Sequence, residues 1–321
     1  MDIKEITVRE LNTSLFIEEQ AAEIRKAVGD GYAVNALSGG VDSAAVTMLG
    51  HKALGSKLKT YFIENGIMRQ GEAARVVETF QKLGVKVEVI DAKARFFAAL
   101  KGVTDPEKKR EAITQTFYKT VFGPLVKKSK ARFLLQGTNY TDVEETVAGV
   151  KRQHNILAQL GIDTKKAFGY TVLEPIIELR KPAVRKLARA LMLPREISER
   201  PPFPGPALAA RVIGEVTPKR VETVRAATAI VEEELWGLRA FQSLAILHQD
   251  MVTGMRDGKR AFGMQIEVRS WQSEDAVTGK PTRLSWRTLE KIAARITNEV
   301  PGVVSVTYNV TSKPPSTIEA V

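Results

Sequence analysis

A strand-forming run at residues 32–37 (YAVNAL) passes without a break into Ser38-Gly39-Gly40-Val41-Asp42-Ser43, and helical periodicity follows at once over residues 43–53. A strand, a glycine-rich turn and a helix in direct succession leave few folds open. They read as the opening unit of a parallel α/β sheet. Such a loop suits phosphate. Its glycines let backbone N–H groups approach oxygens closely, the helix start adds partial positive charge, and Ser38 and Ser43 supply hydroxyl donors. A Walker loop would carry a lysine reaching the terminal phosphates, and no such lysine is present. Ser38 is a poor candidate nucleophile. No G-x-S-x-G elbow surrounds it, and the only histidines are His51, His154 and His248.

The alternation continues. Residues 58–63, 85–90 and 132–136 read as strands; residues 71–83, 107–122 and 184–191 read as helices, with Gly84 as a C-terminal stop. This predicts an α/β fold, a doubly wound parallel sheet with helices on both faces. The pattern breaks at residues 200–206 (RPPFPGP), where four prolines in seven residues can continue neither a helix nor a central strand. The division expected is therefore residues 1–199 and 200–321. Beyond it, Thr217 can cap a helix that starts at Pro218 and runs to about Leu235. Residues 262–268 and 303–308 alternate like half-buried antiparallel strands, with an amphipathic helix over 285–299 between them. The second, smaller domain is expected to be α+β.

Bulk properties narrow the chemistry. With 321 residues, 44% hydrophobic and 26% charged, the chain is ordinary globular material. It has no apolar run of 18 residues to span a membrane. Its polar start (MDIKEITVRE) has no secretory apolar core, and a cytoplasmic location is expected. The absence of cysteine removes disulfides, thiolate zinc sites and cysteine nucleophiles. The net charge of +11 fits either a solvated basic surface or an anionic partner, and charge alone does not separate the two. The basic clusters are short and no RNP-like aromatic motif or zinc finger accompanies them, so a charged nucleotide is expected rather than nucleic acid.

The S-G-G-x-D-S loop resembles the pyrophosphate-binding loop of the ATP pyrophosphatase superfamily. Its members cleave ATP between the α- and β-phosphates and transfer AMP to a substrate oxygen. Further segments resemble GMP synthetases within it. Residues 62–69 (FIENGIMR) resemble F-V-D-N-G-L-L-R, and residues 136–146 (QGTNYTDVEET) resemble Q-G-T-x-Y-P-D-V-I-E-S. Lys151 and His154-Asn155 lie where that family has I-K-S-H-H-N. Residues 200–208 (RPPFPGPAL) resemble R-H-P-F-P-G-P-G-L, and residues 312–319 (SKPPSTIE) resemble the K-P-P-A-T-I-E ending.

The resemblance implies ATP and Mg2+ as cofactors. Ser38, Gly39, Gly40, Val41, Asp42, Ser43, Ala44, Ile63, Glu64 and Arg69 would hold ATP; Asp42 and Asp142 would hold the metal; Asp42, Asp142 and Lys151 would act in catalysis. Arg200, Gln242, Lys313, Ile318 and Glu319 would bind XMP. The implied reaction is adenylation of the XMP C2 oxygen, release of pyrophosphate, and displacement of AMP by ammonia to give GMP. The ammonia would come from a separate glutaminase subunit, since a glutaminase needs a cysteine that this chain lacks. A homodimer through the second domain is also implied.

The chain departs from the family pattern at several points. Glu64 stands for aspartate, Arg152-Gln153 for serine and histidine, and Ser305 for an arginine that helps hold the XMP phosphate. Three other readings stay open on sequence alone: a paralogue that adenylates a different purine nucleotide, a tRNA-modifying ATP pyrophosphatase, and a nucleotide-binding subunit without activity.

Overall fold

The computed structural model describes residues 3–147, 169–238, 240–256, 258–274 and 277–320. Two compact units share the chain. The first comprises Met1–Glu64, Glu72–Asp91 and Phe117–Arg200; the second comprises Asn65–Gly71, Ala92–Thr116 and Pro201–Val321.

In the first unit, α1 (Thr13–Val28) precedes β1 (Ala33–Ala36), α2 (Val41–Leu54), β2 (Leu58–Glu64), α3 (Glu72–Lys82) and β3 (Val87–Asp91). The chain then lends α4 (Lys93–Leu100) and α5 (Pro106–Gln115) to the second unit. It returns with α6 (Gly123–Ser129), β4 (Phe133–Leu135), α7 (Tyr140–Val147), β5 (Thr171–Leu173), α8 (Lys181–Ala190) and the short α9 (Arg195–Ser198). The strands form a parallel sheet in the order β3-β2-β1-β4-β5. Ala33, Val34 and Leu37 on and just after the central strand are buried, as are Ala44, Ala45 and Leu49 on α2. A near-continuous apolar strand between two others is what a sheet covered on both faces requires.

Residues 107–122 do not form one helix. An α-helix ends at Gln115 and a π-helical stretch, Thr116–Phe122, follows. This irregularity falls where the chain leaves one unit for the other at residues 116 and 117. The C-terminal part of the second unit contains a 3₁₀ turn (Ala207–Arg211), α10 (Pro218–Glu234), β6 (Gln242–Arg256), β7 (Lys259–Gln272), β8 (Lys280–Pro281), α11 (Trp286–Glu299) and β9 (Val303–Tyr308). The start of α10 is capped by Thr217 as expected, and that of α11 by Ser285. Arg220 N donates to Thr217 Oγ1 (3.3 Å), and Thr288 N to Ser285 Oγ (3.1 Å).

The β6–β7 pair is a long antiparallel ribbon from Gln242↔Trp271 to Arg256↔Lys259. β9 pairs with β7 in parallel, from Met264↔Val303 to Val268↔Tyr308, which corrects the antiparallel expectation for residues 262–268 and 303–308. The reason is the connection. α11 crosses over between them and returns the chain in the same direction, which a hairpin cannot do. α5 anchors to this part through Lys109. Its side chain is fully buried and donates to the Val212 carbonyl at 2.8 Å. Burial, and then the neighbouring Arg220, lower the Lys109 pKa to about 8.

Candidate active site

In an open parallel sheet, ligands bind beyond the carboxyl ends of the strands where the order reverses. Here the reversal lies at β1. The chain goes from β1 outward to β2 and β3, then returns to place β4 on the other side of β1. The loop leaving β1 is residues 38–43. Gly39 takes φ +81°, a value that favours glycine, and a Cβ built there would fall 2.5 Å from Glu72 Oε1. Gly40 is the N-cap of α2 in an extended conformation. Ser38 and Ser43 close the loop with a 2.9 Å contact between their hydroxyls; the Ser38 N–H also donates to Ser43 Oγ (3.2 Å), and Ser43 Oγ to the Gly40 carbonyl (3.1 Å). The first α2 backbone bond runs from Ala44 N to Gly40 O (3.0 Å). The N–H groups of Val41, Asp42 and Ser43 therefore precede the helical ladder, as at any helix start. A ring of backbone donors at a helix mouth, tied by two serines, is an anion cradle.

The loop after β4 packs onto this helix start. A Cβ on Gly137 would approach Ser43 N and the Asp42 backbone carbon within 3.1–3.2 Å, so a larger residue there would press on the start of α2. Asp142 sits in the first turn of α7, where Oδ2 accepts from Asn139 N (3.0 Å). Asp42 and Asp142 thus lie beyond the ends of neighbouring strands. Asp42 Oδ2 is paired with Lys181 at the start of α8. Its Oδ1 is buried and has no hydrogen-bond partner among the described residues. Carboxylate and hydroxyl oxygens are the hard donors that magnesium takes, so the residues fit such an ion. No cluster of three or more His, Cys, Asp or Glu side chains that could hold a metal occurs among the described residues. A cation here would draw its other ligands from phosphate and water, which is how magnesium is commonly bound. Ile63 and Glu64 end β2, next to β1. Lys151 and His154 lie outside the described residues.

Arg200, expected at the acceptor, and Arg69, expected at ATP, each meet a carboxylate within their own unit. Arg200 belongs to the first unit and braces the 38–43 loop. Its two Nη atoms meet the Glu72 carboxylate at 2.5 and 2.6 Å, and Nη1 also reaches the Gly39 carbonyl (3.3 Å). Glu72 itself is only 3% exposed. Arg69 belongs to the second unit, where it pairs with Glu232 (2.7 Å) and lies 3.9 Å over the Phe203 ring.

The C-terminal tail gathers the other candidates in the second unit. Ile318 is buried against Leu244, Ile246 and Trp271. Gln242 Nε2 donates to Glu319 Oε1 (2.6 Å), and Arg211 Nε and Nη2 donate to its two oxygens at 3.2 Å each. Arg269 Nη1 donates to the Thr317 carbonyl (2.7 Å), while its Nε donates to Glu267 Oε1 (2.6 Å). Burial opposes the Glu267 charge, yet hydrogen bonds from Arg269, Asn309 and His248 outweigh it and hold its pKa below the usual range. Lys313 forms an isolated antiparallel backbone bridge with Gly279. Ser305 sits on β9 and accepts from Gln265 Nε2 (3.1 Å). Sequence reasoning did not single out Glu72, Lys181 or Arg211, because no local pattern marks a cation whose carboxylate lies a hundred or more residues away.

A glycine loop at the switch point of a parallel sheet defines a nucleotide-binding protein of the PP-loop class. Comparison with known proteins agrees. The NAD synthase family model matches residues 14–206, and the GMP synthase C terminal domain model matches residues 229–320. The chain is 46% identical over 309 residues to the B-type subunit of the glutamine-hydrolyzing GMP synthase of Archaeoglobus fulgidus, covering 96% of this chain and 99% of that one. The same subunit of Methanocella arvoryzae is 46% identical over 310 residues (96% and 99% covered), and that of Pyrococcus horikoshii 45% over 307 residues (95% and 98%). The chain belongs to the family of B-type subunits of glutamine-hydrolyzing GMP synthase.

Proposed function

We propose that this chain is the ATP-using, carbon–nitrogen ligase subunit of a two-subunit GMP synthase. It converts XMP to GMP and consumes ATP, which leaves as AMP and pyrophosphate. The observation that carries this reading is the 38–43 cradle: a serine-closed ring of backbone donors at a helix mouth, with an aspartate and no Walker lysine. Such a cradle suits a pyrophosphate leaving group better than a transferred terminal phosphate.

The reaction needs activation because the C2 oxygen of XMP is amide-like and leaves poorly. That oxygen attacks the α-phosphorus of ATP, and the cradle takes up charge on the departing pyrophosphate. Ammonia then adds at C2 and AMP leaves. Magnesium, when bound, neutralises phosphate charge. Asp42 and Asp142 would hold it, and Lys151 would contact the phosphates. Residues 38–44, with Ile63, Glu64 and Arg69, would bind ATP, and Gln242, Lys313, Ile318 and Glu319 the acceptor. Arg200 acts in this reading by holding the Gly39 turn through Glu72. Ammonia comes from a partner glutaminase subunit. The chain pairs with a second copy through its second unit, where Met251, Met255 and Phe262 stand exposed on the β6–β7 ribbon. No helix among the described residues is long and apolar enough to cross a membrane.

The test supplies purified protein with MgATP, ammonium and XMP and follows the nucleotides by chromatography. AMP and GMP in equal amounts are expected. ADP and orthophosphate in their place would end this reading.

A further inference from the structure

The hydrogen bonds to the Glu319 carboxylate can be counted site by site. An ionised carboxylate offers about four lone-pair sites. Gln242 and Arg211 Nη2 occupy Oε1, and Arg211 Nε occupies one site on Oε2. Among the described residues one site remains, on Oε2. The side chain that imposes this arrangement is Arg211, which has no exposed surface. It is locked from several sides. Phe203 lies 5.0 Å from its guanidinium, and the same ring carries Arg69 on its own account. The backbone beside it is fixed too, since Val212 accepts from Lys109 and bridges to Leu247 of β6. The tail that bears Glu319 is pinned by Arg269 at Thr317 and by burial of Ile318. Both partners of the Arg211–Glu319 pair are therefore held independently of any ligand.

We infer that Arg211 is a positioning residue for the acceptor: it aims the Glu319 carboxylate so that its one free lone-pair site on Oε2 accepts a ring N–H of a 2-oxopurine nucleotide. The inference rests on the reading that the tail binds the acceptor. An acceptor-only group with a single vacancy selects a base that presents N–H beside the reacting C2 oxygen. It rejects a base whose ring nitrogen carries no hydrogen, because two acceptors then face each other. Arg211 does not touch the acceptor in this scheme. It acts through Glu319, and its planar fork is what a lysine cannot reproduce.

The experiment compares Arg211→Lys, Glu319→Gln and the double variant with the unaltered protein, using XMP, ATP and ammonium. In Arg211→Lys the KM for XMP should rise about tenfold, the scale of one charge-assisted hydrogen bond, with the KM for ATP unchanged. The double variant should show no larger rise than Glu319→Gln alone, because both changes remove one interaction. Equal rises in both KM values, or effects of the two variants that multiply, would overturn the inference. Should Arg211→Lys not fold, Glu319→Gln carries the test: an unchanged KM for XMP overturns it. If the unaltered protein makes no GMP from XMP, the functional reading has failed, which is a distinct result.

Discussion

Around residues 38–43 the contacts that close the loop are local. The two serine hydroxyls that meet are five residues apart, and the donors offered to a ligand belong to the backbone. Around Glu319 the opposite holds. Its partners come from 108 and 77 residues away, and all of them are side chains. The first region is closed by its own six residues at a helix mouth, with Arg200 and Glu72 as its long-range support. The second is a clamp of arginine, glutamine and carboxylate that exists only once β6, the Ala207–Arg211 turn and the tail have come together. The 38–43 loop has one long-range support, the Arg200–Glu72 pair, whereas at Glu319 every hydrogen bond to the carboxylate among the described residues is of that kind.

That contrast can be broken, and the largest effect should come from the cradle. Asp42→Ala should lower AMP formation by on the order of a thousandfold or more, the scale seen when a charge-stabilising group is lost. Circular dichroism should be unchanged, and XMP binding measured by calorimetry should persist. Loss of XMP binding in that variant would mean that the two regions are not separable. Arg200→Met should act next, through stability. It leaves the buried Glu72 with Arg75 (3.5 Å) but without its bidentate partner, which costs about 1–3 kcal/mol in urea unfolding. The KM for ATP should rise with it as the Gly39 turn loosens. A stability loss with an unaltered KM for ATP would remove Arg200 from the cradle. Lys313→Ala should have the smallest effect, raising the KM for XMP about tenfold while leaving that for ATP in place. Equal change in both would take the tail lysine out of acceptor binding.

Much of the first unit was legible. The strands at β1, β2 and β4 and the helix after the loop follow from apolar runs and turn residues, and the Gly39 and Gly84 turns take the positive φ values that glycine allows. The cap at Thr217 was equally readable, because capping is local. The second unit was less so. Residues 242–256 form a 15-residue strand whose polar half hides its period, and β9 turned out parallel because a crossover, not a hairpin, precedes it. A single linear division of the chain also does not foresee that segments 65–71 and 92–116 join the C-terminal unit. Hydrophobic patterning says which residues are buried, not which core they enter.

What the amino-acid order determined alone is the form of the 38–43 loop: glycine conformational freedom, helix-mouth charge and serine hydroxyls are properties of adjacent residues, so their sequence is already their geometry. What tertiary structure decided is the ion pairing. Arg200 serves Glu72 and the Gly39 turn, Arg69 sits on Phe203 with Glu232, and Arg211 rather than a tail residue holds Glu319. An arginine reads the same wherever it stands in a sequence. Its role is set by whichever carboxylate the fold brings within about 3 Å and removes from water.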